Sequence, residues 1–184
     1  KRTLRDFGIS VEMDAVESGP TVSRYSLKPA QGVRIAKIAG LRQELQLALK
    51  ASSIRIEAPI PGKALVGIEV PNEIRATVGL SSMLATPEYA DSPYPLIVAL
   101  GKDVTGHARF SNIAKMPHGL IAGTTGSGKS VTIQNIIISL LMRNSPEQLR
   151  FILVDPKRVE LTLYNKVPHL LTPVITDAKK AIRA

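Results

Sequence analysis

Residues 123–130 read Gly123-Thr124-Thr125-Gly126-Ser127-Gly128-Lys129-Ser130, which fits the phosphate-loop pattern G-x-x-x-x-G-K-[ST]. Its glycines allow backbone conformations in which successive N–H groups point at one anion. The positive end of a helix opening at Lys129 adds to that attraction. In such a loop Lys129 reaches the β and γ phosphates of a nucleoside triphosphate, and the Ser130 hydroxyl ligates Mg²⁺. The expected nucleotide-binding set is Gly123, Thr124, Thr125, Gly126, Ser127, Gly128, Lys129, Ser130 and Val131, with Lys129 in the catalytic role. The bland alternative is a Gly/Ser turn with a solvated lysine.

The flanks decide between the two, because a phosphate loop joins a strand to a helix. Upstream, Gly119-Leu120-Ile121-Ala122 reads as a short apolar strand. Downstream, a helix is expected from Lys129 to about Arg143, carrying Val131, Ile133, Ile136, Ile137, Ile138, Leu140, Leu141 and Met142. Apolar almost all round, it should be buried between layers. Asn144-Ser145-Pro146 stops it, and Ser145 with Gln148 can form a capping box for one further turn. Phe151-Ile152-Leu153-Val154 is a continuous apolar run, as a parallel strand buried on both faces requires. Strand, helix and strand within about 35 residues make a βαβ unit. Leu96-Ile97-Val98-Ala99-Leu100, closed by Gly101, adds another strand. The expected fold class of this half is α/β with a parallel sheet.

Asp155 ends the Phe151-to-Val154 strand, at the sheet edge where a phosphate loop also lies. It is a candidate Mg²⁺-orienting acid. Pro156 follows where a catalytic glutamate would be expected, which favours a supporting or strand-end role over direct ligation. The three histidines are too scattered for a metal cluster, and His118 and His169 read as structural. Lys157, Arg158, Lys179 and Lys180 are expected to face solvent.

Working back toward the amino terminus, Leu41, Leu45, Ala48 and Leu49 recur at helical spacing within residues 40–52. Ile54, Ile56 and Ala58 alternate with Arg55 and Glu57, the period of a half-buried strand. Pro59-Ile60-Pro61-Gly62-Lys63 turns the chain, and Ala64, Val66, Ile68 and Val70 alternate again. This predicts a small α+β domain over residues 1–85. Pro87, Pro93 and Pro95 beside Ser and Asp make residues 81–95 a plausible linker to the second domain, residues 86–184.

Composition limits what such a chain can do. Its 184 residues, 44% hydrophobic and 21% charged, describe an ordinary globular sequence. The formal charge of +9 suits an anionic partner, but it divides into +4 and +5 on either side of residue 85, so there is no basic arm. Seven aromatics, scattered from Phe7 to Tyr164, argue against a base-stacking platform. With no cysteine, disulfides, thiolate zinc sites and cysteine nucleophiles are all excluded. No apolar run reaches the ~18 residues of a membrane-spanning helix, so the fragment is expected to be soluble.

Longer strings now add to this reading. Ile54-Arg55-Ile56-Glu57-Ala58-Pro59-Ile60-Pro61-Gly62-Lys63, followed by Val66-Gly67-Ile68-Glu69-Val70-Pro71-Asn72, resembles the α domain of the FtsK/SpoIIIE family of bacterial double-stranded DNA translocases. Met116-Pro117-His118, Asp155-Pro156-Lys157-Arg158-Val159-Glu160-Leu161 and Pro168-His169-Leu170-Leu171 are similar to that family's RecA-like β domain. The resemblance implies a motor whose protomers form a homo-hexamer around double-stranded DNA, with ATP and Mg²⁺ bound between neighbours. It implies a role in chromosome segregation at cell division or sporulation, on the cytoplasmic face of the bacterial inner membrane, with the full-length protein membrane-anchored. It also places the acidic metal-orienting pair, a trans-acting arginine and the pore loops beyond the Pro-His-Leu-Leu segment. A truncated RecA-like domain, inactive alone, is therefore the expectation for residues 86–184.

Two other readings share the phosphate loop. A guanine-nucleotide switch normally needs Asn-Lys-x-Asp, and Asn165-Lys166-Val167-Pro168 lacks the aspartate. A small-molecule kinase usually begins close to its phosphate loop, whereas over a hundred residues precede this one. A third possibility is a non-hydrolysing nucleotide-binding, DNA-bridging or ring-assembly module.

Overall fold

A computed structural model describes residues 1–116 and 118–182. The quoted Pro117 and the last two residues lie outside the described set. The chain divides into two compact units, Lys1–Gly79 with Gly101–Arg109, and Leu80–Leu100 with Phe110–Ala184.

The first unit contains α1 (Arg2–Asp6), β1 (Val11–Ser18), β2 (Val22–Pro29), α2 (Ile35–Gly40), α3 (Arg42–Ala48), β3 (Arg55–Glu57) and β4 (Val66–Pro71). Its four strands pair antiparallel in the order β1-β2-β4-β3. Cα pairing puts Leu27 opposite Val66, and both Tyr25 and Ile56 opposite Ile68. These inward side chains meet Leu4, Ile9, Val11, Ile38, Leu45 and Ile54 in one buried cluster. The helical spacing expected over residues 40–52 is realised as α3, preceded by a break at Leu41, which ends α2 and starts α3. The alternations at residues 54–58 and 64–70 become β3 and β4.

The β1–β2 hairpin was not foreseen, although half the sheet depends on it. Glu12 and Asp14 are exposed and Glu17 is half-buried against Arg24, so carboxylates dilute the apolar pattern of β1. Its turn is closed by Gly19 N–H donating to the Val22 carbonyl (2.9 Å) and by the Asn72 amide donating to the Gly19 carbonyl (2.8 Å). A Cβ at Gly19 would collide with the Val104 carbonyl, so close backbone approach requires glycine there. At the tip of residues 101–109, Asp103 accepts from Thr105 Oγ1 (2.6 Å), Arg109 Nε (2.8 Å) and the Thr105 and His107 amides. The Thr105 hydroxyl above all, helped by Arg109 and the two amides, holds this carboxyl well below the usual carboxylate range.

The second unit begins with α4 (Leu80–Leu84) and α5 (Pro87–Ala90), where a linker was expected. Proline misled here because Pro87 occupies the first turn of α5, which needs no N–H, behind an extended Thr86. Met83 and Tyr89 are buried, which fixes both helices. β5 (Ile97–Lys102) pairs with β6 (Ala108–Asn112). The long α6 (Lys129–Leu141) follows close to its expected bounds, and α7 (Ala178–Ala181) comes last. Gln148 returns its side-chain oxygen to Ser145 N–H (2.9 Å), as the capping box requires.

Three further expectations for this unit need correction. Residues 119–122 form no ladder with any described segment, and Leu120 is 93% exposed. Residues 151–154 make two isolated parallel bridges, Phe151 with Leu170 and Val154 with Ile175, with Ile152 and Val154 each nearly half exposed. Helix α6 is buried only along Ile137, Ser139 and Leu140, while Val131 is 59% and Met142 70% exposed. The common cause is a shortage of strands. A parallel ladder needs partners brought in by crossovers, and among the described residues only residues 169–175 supply one. The fold shown is mixed α and β with an antiparallel sheet, and no helix among the described residues is long and apolar enough to cross a membrane.

What α6 does bury, it ties firmly. Ser139, fully buried, donates to the Asn135 carbonyl (2.6 Å) and accepts from Ala99 N–H (3.2 Å). Its own carbonyl accepts from the Tyr89 hydroxyl (2.5 Å). Burial pushes the Tyr89 phenol above its ordinary value, with Arg143 opposing.

Candidate functional site

The loop from Gly123 to Ser127 faces solvent and runs directly into α6. Gly126 and Gly128 take positive φ of 79° and 91°, which a side chain would strain. A Cβ on Gly123 would strike Ser127 Oγ, so a larger residue there would require the Ser127 side chain to move. Ser127 N–H folds back onto the Thr124 carbonyl (3.1 Å). Thr132 holds the start of the helix, donating from both its N–H (2.9 Å) and its hydroxyl (3.0 Å) to the Gly128 carbonyl. The first-turn N–H groups of α6 have no carbonyl of their own helix to bond. A curled, solvent-open loop at such a helix start is a cradle that fits a polyphosphate.

Lys129 and Ser130, the first two residues of α6, both meet Glu160. Ser130 Oγ donates to Glu160 Oε1 at 2.6 Å, and Lys129 Nζ lies 3.9 Å from the same oxygen. Sequence reasoning missed Glu160, which is thirty positions from Ser130. The signal was Asp155-Pro156, a turn-initiating pair. Asp155 is buried, and its Oδ2 accepts from Glu160 N–H (2.9 Å) and Leu161 N–H (3.0 Å), while its carbonyl accepts from Arg158 N–H (3.1 Å). The Leu161 and Glu160 amides lower the Asp155 pKa and keep it ionised. Asp155 therefore braces the turn that presents Glu160. A hydroxyl and a carboxylate side by side are donors that suit Mg²⁺.

The remaining candidates sit apart from this cluster. Val131 points outward, one residue beyond Ser130. Lys157 and Arg158 are exposed on the Asp155 turn, Arg158 at a φ of 58°, and Lys179 and Lys180 are exposed on α7, capped by Asp177. His118 lies exposed ahead of the loop. His169 is buried, its Nε2 2.8 Å from the Asn144 carbonyl and its ring against Phe151.

Comparison with known proteins places this geometry in context. The family model described as FtsK/SpoIIIE family matches residues 79–184, and the one described as FtsK alpha domain matches residues 1–72. A DNA translocase FtsK of Lactiplantibacillus plantarum is 52% identical over 99% of this chain and 23% of its own length. One from Caldanaerobacter subterraneus subsp. tengcongensis is 50% identical over 98% of this chain and 26% of its own, and one from Bacillus anthracis is 50% identical over 100% and 23%. The chain thus spans about a quarter of the length of the curated relatives it matches. Among solved structures, the pCW3 conjugation coupling protein TcpA, in monomer form with ATPgS, aligns over 99% of this chain and 50% of its own at 20% identity and a TM-score of 0.39.

Proposed function

The chain belongs to the FtsK/SpoIIIE family, and from that premise we propose that it is part of an ATP-driven double-stranded DNA translocase acting in chromosome segregation at cell division or sporulation. The observation that carries this reading is the open phosphate loop of Gly123 to Ser130 at the head of α6, within a chain half identical to proteins named DNA translocase FtsK. Residues 1–85 are the α-like domain and residues 86–184 the first part of the RecA-like ATPase domain. The alpha-domain match over residues 1–72 and the FtsK/SpoIIIE match over residues 79–184 support two domains, with their junction between residues 72 and 79. In the complete motor, six such chains ring the duplex at the cytoplasmic face of the membrane. The charge of +9, with no basic arm, suits sequence-independent attraction to phosphates.

In this site the loop amides bind the polyphosphate and orient it, and Gly126 and Gly128 allow the backbone to curl around it. Lys129 places its ammonium against the β and γ phosphates and stabilises the charge that develops on transfer to water. Ser130, whose hydroxyl now donates to Glu160, would hold a metal ion through that oxygen, and Asp155 fixes the turn beside it. Mg²⁺, if held there by the Ser130 hydroxyl, would supply positive charge against the phosphates.

Lys129→Ala in the full-length protein tests this reading through DNA-stimulated ATP hydrolysis. The expected loss is on the order of 100-fold or more. Hydrolysis at near wild-type rate would overturn the assignment and favour a ring-assembly module whose nucleotide site is structural.

A further inference from the structure

We infer that Glu160 is a positioning residue that makes nucleotide binding conditional on Mg²⁺, by holding Ser130 and Lys129 until the metal arrives; the inference rests on the ATP-site reading above. One carboxylate oxygen faces both the hydroxyl assigned to the metal and the ammonium assigned to the phosphates. The 2.6 Å contact from Ser130 is a charge-assisted hydrogen bond, the stronger class for a hydroxyl donor. The Lys129 contact, at 3.9 Å and partly exposed, is a looser ion pair. Glu160 does not owe its place to these contacts alone, because Asp155 independently fixes the Glu160 and Leu161 amides. The backbone point from which its carboxylate reaches the loop is therefore held whether or not Ser130 and Lys129 stay bonded to it.

Two opposite electrostatic consequences follow. A nucleotide arriving without metal must take Lys129 from Glu160 and then sit beside an uncompensated negative charge, which repels its phosphates. With a divalent cation at Ser130, the same carboxylate faces positive charge and becomes attractive, directly or through a metal-bound water. Glu160 thus widens the gap between the metal-bound and metal-free affinities. This concerns the order of loading and not the chemical step.

The test is binding of the fluorescent nucleotide mant-ADP to the full-length protein, titrated in millimolar Mg²⁺ and again in EDTA. Glu160→Gln keeps an acceptor for Ser130 Oγ but removes the charge. The ratio of the EDTA dissociation constant to the Mg²⁺ one should fall about tenfold, mainly through tighter binding in EDTA. Glu160→Asp keeps the charge nearby and should retain a ratio close to wild type. An unchanged ratio in Glu160→Gln, or a Glu160→Asp protein that behaves like it, overturns the role assigned to Glu160 while leaving the ATP site standing. Wild-type protein that binds no mant-ADP in either buffer overturns the site itself, and this inference with it.

Discussion

The first unit gathers nine apolar side chains into one buried cluster while leaving Leu47 and Ile74 in water, whereas the second exposes Leu120 and Val159 and half-exposes Ile152 and Val154. The difference lies in the kind of strand pairing each sequence asks for. Antiparallel neighbours such as β1 and β2 are joined by a tight turn, so their ladder closes locally. Parallel neighbours need a crossover for each pairing, and residues 151–154 find one partner, in residues 169–175. A local sheet makes a self-contained scaffold. In the unit that carries the phosphate loop, α6 is tied to α5 and β5 through Ser139, and a braced turn stands beside its first residues.

Substitutions should separate the two units by size of effect. Ile38→Ala removes a fully buried side chain from the first unit and is expected to cost about 2–5 kcal/mol, read as a lower urea midpoint with lost amide protection in β2 and β4. A cost below about 1 kcal/mol would mean that this core is no tighter than its neighbour. Acid should act next. Asp103 in the first unit and Asp155 in the second both have lowered pKa values, so their stabilising contribution is complete above the ordinary carboxylate value. It is lost as pH falls through the lower folded values. The thermal midpoint should hold from pH 7 to about 5 and drop below about pH 4. Asp155→Asn should lower the midpoint at neutral pH, flatten that acid drop, and speed exchange at the Glu160 and Leu161 amides, leaving β2 and β4 protected as before. The smallest effect belongs to Leu120→Ser, expected within about 0.5 kcal/mol of wild type by urea unfolding because the side chain already faces solvent. A larger destabilisation would contradict the open character of the loop's approach.

What could be read from the residues was whatever is encoded locally. The phosphate loop, α6, the turn at residues 59–63 and the alternations of β3 and β4 all depend on neighbours within a few positions. The β1–β2 hairpin escaped because carboxylates masked its period, and Pro87 suggested a linker where it starts a helix. Residues 119–122 have strand composition, but a strand exists only when another lies beside it. The site itself divides the same way. Lys129 and Ser130 are named by their motif, while Glu160 reaches them only because Asp155 folds the intervening turn back on itself. Side-chain-to-backbone contacts of that kind have no periodicity to detect.

The triple bonding of Ser139 has a mechanical consequence. Ala99 and Tyr89 clamp α6 near one end, while Lys129 sits ten residues away, about 15 Å along the axis. Ser139 is thereby a fulcrum and the helix a lever arm. A tilt of about 10° around it would carry the Lys129 end through about 2.6 Å, comparable to a hydrogen-bond length.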